Sequence, residues 1–167
     1  MNDDLGTVTL VAGAVGEPGQ RTFYLQAQGS AEPITIKCEK QQVAALADHI
    51  ERLISSVPSA ATTSTSFLPM DLIAPLEPRF VLGTIGLGWD DSAERVVVMF
   101  EEIAAELDED ADPDDTPPRD TLRLNLTRAT AEAFCNRARE LMAAGRPTCR
   151  WCGHPIDPEG HACPRMN

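Results

Sequence analysis

Apolar and polar residues alternate from Thr7 to Val15 and again from Arg21 to Gln28 (RTFYLQAQ), and Gly16-Glu-Pro-Gly19 between them has turn chemistry. The pair reads as a hairpin. Gly29 to Pro33 breaks the alternation, and Ile34 to Cys38 supplies a third strand. Gln41 to Ile54 then sets Val43, Leu46, Ala47, Ile50, Leu53 and Ile54 on one helical stripe. The order is β-β-β-α, and it recurs. Arg79 to Leu87 reads as a strand, Trp89-Asp-Asp-Ser92 as a turn, and Arg95 to Glu101 (RVVVMFE) as the returning strand. Thr121 to Leu126 (TLRLNL) is a third. Thr127 caps a helix running to about Ala144, where Gly145 stops it and Pro147 forbids continuation.

The two halves share residues as well as pattern. Val11-Ala-Gly13-Ala-Val15-Gly16 matches Val81-Leu-Gly83-Thr-Ile85-Gly86, and Ile34 to Leu53 aligns without gaps on Leu122 to Leu141. An internal duplication follows, with repeats at about 5–54 and 77–145. One three-stranded unit with a single helix buries too little apolar area, so two copies facing each other across a pseudo-twofold axis are expected. The fold class is α+β. Residues 1–146 form this domain and 147–167 a small separate tail.

Two stretches fall outside the repeat. Ser55 to Pro78 opens with SSVPSAATTSTS, too poor in apolar residues to pack, and a flexible segment is expected at about 55–68. The following FLPMDLIAPL has the apolar content to lie along the domain surface. The acidic, proline-rich Leu107 to Arg119 (LDEDADPDDTPPR) reads as a second flexible loop. It lacks the glycine and closing glutamate of an EF-hand calcium site.

Charge narrows the function classes. A formal net charge of −12 is wrong for a phosphate-binding surface, which works through Lys and Arg. No run approaches the ~20 apolar residues that span a bilayer, and the opening MNDD is acidic where a secretory signal is basic. A cytoplasmic protein is expected. Of the five cysteines, Cys38 and Cys135 sit alone in apolar periodic segments and read as buried hydrophobes.

The other three crowd together near the C-terminus. Cys149-Arg-Trp-Cys152-Gly153 places two thiolates three positions apart, and the glycine lets backbone amides approach the sulfurs. His161-Ala-Cys163 is a returning pair, and Ile156-Asp-Pro-Glu-Gly160 between them reads as a tight turn. Cys149, Cys152, His161 and Cys163 complete a tetrahedral set for structural zinc, whose closed sphere leaves no position for substrate. His154 is an alternative to His161, though its adjacency to the knuckle tightens the geometry. A redox C-x-x-C opens a helix after a strand, whereas this one follows a helix end and would leave His161 and Cys163 unexplained.

Three further motifs read as structural. His49-Ile-Glu51 with Cys149-x-x-Cys152 superficially matches zinc deaminases, but residues two apart on a helix face different ways, and His49 reads as a surface residue. Gly83-Thr-Ile-Gly86-Leu-Gly88 runs from strand to strand, whereas a phosphate-cradling loop runs into a helix N-terminus. Trp89 and Trp151 each sit beside a turn or the metal motif, where local packing is the ordinary outcome.

With GEPGQRTFYLQAQ, EKQQVAALADHIERL, LGWDDSAERVVV and the ending CRWCGHPIDPEGHACPR in place, the chain resembles an uncharacterised actinobacterial family, domain of unknown function 3090. The resemblance implies one cytoplasmic unit ending in a zinc-binding tail, and supplies no activity. No catalytic constellation is visible. The leading expectation is therefore a protein-protein interaction module or adaptor, with Arg150, Trp151 and Arg165 displayed by the knuckle to a protein partner. The alternative is an enzyme or small-molecule binder using a cleft between the repeats, where Arg21, Tyr24, Glu39, Lys40 and Arg95 would converge. Nucleic-acid binding through the tail would rest on a few arginines.

Overall fold

Strand register puts the alternating apolar residues on one face. Leu10, Ala12 and Ala14 stand opposite Ala27, Leu25 and Phe23, which in turn face Ile34, Ile36 and Cys38. Val96, Val98 and Phe100 face Leu126, Leu124 and Leu122 in the same way. A computed structural model describes residues 2–29, 31–58, 68–104, 118–145, 148–156 and 160–165. Its elements are β1 (Asn2–Thr7), β2 (Thr9–Val15), β3 (Thr22–Gln28), β4 (Ile34–Cys38), α1 (Lys40–Ser56), β5 (Pro78–Asp90), β6 (Arg95–Glu102), β7 (Thr121–Leu126) and α2 (Arg128–Ala143). The architecture is α+β.

The strands of both halves belong to one seven-stranded sheet, in the order β1-β7-β6-β5-β4-β3-β2. This differs from two separate sheets facing each other. The halves are joined edge to edge, because β5 pairs parallel with β4 before turning antiparallel to β6. β1 likewise pairs parallel with β7. The first and last strands in this order are separated along the chain by Val8 alone, whose N–H donates to Asn125 O at 3.0 Å. Flat strands spaced ~4.8 Å apart would put those edges ~29 Å apart, so the sheet must curl until they meet. Its inner face and both helices share one core, including Leu46, Ile50, Phe100 and Phe134.

Local chemistry sets the helix ends. Glu39 and Gln42 form a reciprocal capping box at the start of α1, and Thr127 Oγ1 accepts Thr130 N–H at the start of α2. The helices run antiparallel. Arg128, first in α2, donates to Ile54 O at 2.7 Å and Val57 O at 3.0 Å at the end of α1. Lys40, first in α1, lies beside Gly145 just past α2. Between these ends the Cys135 thiol donates to Ala47 O at 3.4 Å, and Arg139 pairs with Glu51.

Two features differ from the pattern-based expectation. β1 is an additional strand, its acidic side chains held by Arg79 to Asp3 at 2.5 Å and Arg123 to Asp4 at 2.6 Å. β5 extends through Trp89 to Asp90, so the turn falls at residues 91–94. The Asp90 carboxylate tightens that turn by accepting the Ser92 O–H and the Ala93 and Ser92 N–H groups, which holds it below the usual carboxylate range. The stretch after residue 67 does lie on the sheet's outer face. Buried Gln26 grips it through Ile73 N–H and Ile73 O, both at 2.8 Å, and Leu72 fills the space where a Gly13 side chain would be. The expected flexible segments fall largely on 59–67 and 105–117, outside the described residues.

Candidate metal centre

Just past α2, the chain makes a small hairpin. Thr148 bridges to Pro155, Cys149 N–H donates to His154 O at 2.7 Å, and Gly153 N–H returns to Cys149 O at 2.8 Å. Gly153 sits at φ +76°, a left-handed conformation that glycine adopts without strain. The turn aims Cys149 and Cys152 the same way. Gly160, at φ +93°, precedes the returning His161 and Cys163.

The donor atoms of Cys149, Cys152, His161 and Cys163 lie within 4.8 Å of one another. Cys149 Sγ is 3.9 Å from Cys163 Sγ, and Cys152 Sγ is 3.2 Å from His161 Nε2. An ion bonded at ~2.3 Å to sulfur in tetrahedral geometry sets two sulfurs ~3.8 Å apart, so the four side chains can hold a metal ion. Cys149 and Cys163 are buried, while Cys152 and His161 are half-buried. N–H groups of Cys152 and Trp151 aimed at the Cys149 sulfur push that thiol below its ordinary pKa, toward the thiolate a metal requires. His154 contributes its carbonyl to the turn, and its exposed side chain stands outside the donor set.

Other singled-out residues fall elsewhere. His49 is exposed on α1 and within 2.6 Å of Ala45 O, while Glu51 is engaged by Arg139, so neither joins the cysteines. Gly83, Gly86 and Gly88 lie inside β5, and Trp89 packs against the core. Trp151 is 53% exposed, with the Arg150 guanidinium 5.1 Å from its ring centre. Cys38 and Cys135 are buried, and burial pushes their thiols up to about 12 and about 11.

The expected cleft residues separate. Arg21 and Lys40 line one pocket of about 200 Å³ with Pro18, Gly19, Phe23, Leu141 and Gly145. Tyr24 faces Gly13 and Lys37 on the opposite side of the sheet, Glu39 is used in the α1 capping box, and Arg95 bonds Ala93 and Glu94 carbonyls in the β5–β6 turn. Leu141 in α2 and Gly145 just past it reach the pocket, a contribution no local pattern announces.

Among the described residues, no helix is long and apolar enough to cross a membrane. No curated protein and no solved structure matches the chain. A family model, described as protein of unknown function DUF3090, matches residues 6–163, which take in every element after β1 and all four donors, and the chain belongs to that family.

Proposed function

We propose that this is a cytoplasmic interaction module whose C-terminal hairpin is stapled by structural zinc and presents a rigid surface to a protein partner. The observation that carries the reading is the convergence of four protein donors, three thiols and one imidazole, on one point. Three thiolates with one imidazole suit zinc, and four protein ligands close its sphere. The metal then supplies the folding energy that so short a segment cannot draw from an apolar core. Trp151 supports the surface role. It is exposed rather than packed, and Arg150 lies beside it; Trp and Arg are among the residue types that dominate protein interfaces.

The body reads as a duplicated β-β-β-α unit spanning 1–146, with the metal tail at 147–167. Two observations support the pseudo-twofold. Ala47 meets Cys135 and Glu51 meets Arg139, and each pair is 88 positions apart, the offset of the gap-free alignment. Residues related by a twofold touch their own mates only near the axis. The parallel pairings β4–β5 and β1–β7 also correspond: Thr35 and Lys37, which pair with Pro78 and Val81, map under that offset onto Arg123 and Asn125, which pair with Asp4 and Thr7.

Affinity capture from native cytosol, comparing the intact protein with Cys149→Ser/Cys152→Ser and with Trp151→Ala, tests the reading. A near-stoichiometric protein captured by the intact chain and lost from both variants is expected. Capture of nothing, or equal capture by all three, contradicts it.

A further inference from the structure

Arg21, just before β3, and Lys40, at the first position of α1, open onto the same pocket of about 200 Å³ at the end of α2. Buried Phe23 and Leu141 form its apolar walls, and Gly19 and Gly145 line it without side chains of their own. Among the described residues no carboxylate lines it. The neighbouring Glu39 is held in its own capping box.

Helix-end carbonyls attract cations, so the corresponding arrangement at α1 is the relevant comparison. There a single residue, Arg128, satisfies both Ile54 O and Val57 O. At α2 two cations are gathered, yet Arg21 makes one bond, to Ala144 O at 3.0 Å. The Lys40 side chain makes no hydrogen bond or ion pair among the described residues. The cationic capacity here exceeds what the helix end uses. It does so in a chain whose formal charge is −12, where an exposed lysine readily finds a carboxylate.

We propose that this pocket binds an oxyanion, the carboxylate or phosphate of a small molecule. The guanidinium fork supplies paired N–H donors and the ammonium a compact charge, while the apolar walls weaken competing hydration. The bound anion would tie β3, the start of α1 and the last turn of α2 together at the base of the metal hairpin. The pocket contains no metal donor, so the proposal stands or falls separately from the zinc reading.

Two titrations of the intact protein followed by amide NMR test it, one with inorganic phosphate and one with succinate, each at ionic strength matched with sodium chloride. Saturable shifts at Gly19, Arg21, Lys40 and Gly145 are expected in at least one arm, and the tighter arm identifies phosphate or carboxylate. Lys40→Gln, at an exposed position with no bond to lose, should weaken that binding by at least about tenfold, whereas Arg52→Gln on the same helix should not. Shifts that merely follow salt in both arms, or unchanged affinity in Lys40→Gln, overturn the proposal.

Discussion

A thiol's surroundings decide its chemistry, and these cysteines fall into two environments. Cys38 and Cys135 are buried by apolar neighbours that disfavour the thiolate, so native protein should resist alkylation there while the unfolded chain reacts. The same shift predicts a pH dependence. An acid whose folded pKa is raised stabilises the fold below its unfolded value, here 9.0, and loses that contribution as pH climbs toward about 11 and about 12. Urea midpoints should therefore fall between about pH 8 and about pH 10.5, and fall less steeply in Cys38→Ala/Cys135→Ala. An equal slope in both proteins contradicts the assignment. At Gly83 the constraint is steric, since a β-carbon there would come 2.7 Å from Ile103 Cα. Gly83→Ala should cost about 1–3 kcal/mol in urea unfolding, because backbone rather than a flexible side-chain tip must yield.

At the scale of elements, alternation and helical stripes were legible because one face of each strand or helix meets the core. The stripe Val43, Leu46, Ala47, Ile50 and Ile54 is the buried face of α1. β1 was not legible. Its sequence NDDLGT has a single large apolar residue, Leu5, and it is held by backbone pairing to β7 and by arginines far along the chain, so no local apolar period marks it. Hydrogen exchange checks this account: Arg79→Ala, which removes the bonds to Asp3 and Asp120, should speed exchange at Asp3 to Thr7 and leave β2 and β3 protected. The Trp89–Asp90 extension was hidden by its own turn-forming residues, which act just beyond the strand. The merging of both halves into one sheet depends on the β4–β5 pairing, which sequence periodicity does not encode. Arg128→Ala should cost about 1–3 kcal/mol by leaving two α1 carbonyls without their charged donor.

Across the whole molecule, the core and the donor cluster draw their stability from different sources. The body has a continuous apolar core from both helices and all the strands, while the hairpin after α2 has little besides its four donors and a few backbone bonds. The donor set was legible because all four residues lie in one short segment with knuckle spacing. The pocket at Arg21 and Lys40 was only half legible, because Leu141 and Gly145 reach it from far away in sequence. Chelation should therefore release hairpin amide protection while the cooperative melting of the body shifts little. The four donors should together hold one metal ion. Native mass spectrometry of the purified chain beside Cys149→Ser/Cys152→Ser tests it most directly. One zinc per intact chain and none on the variant is expected; an intact chain without metal, or a variant that retains it, would show that these side chains do not hold an ion.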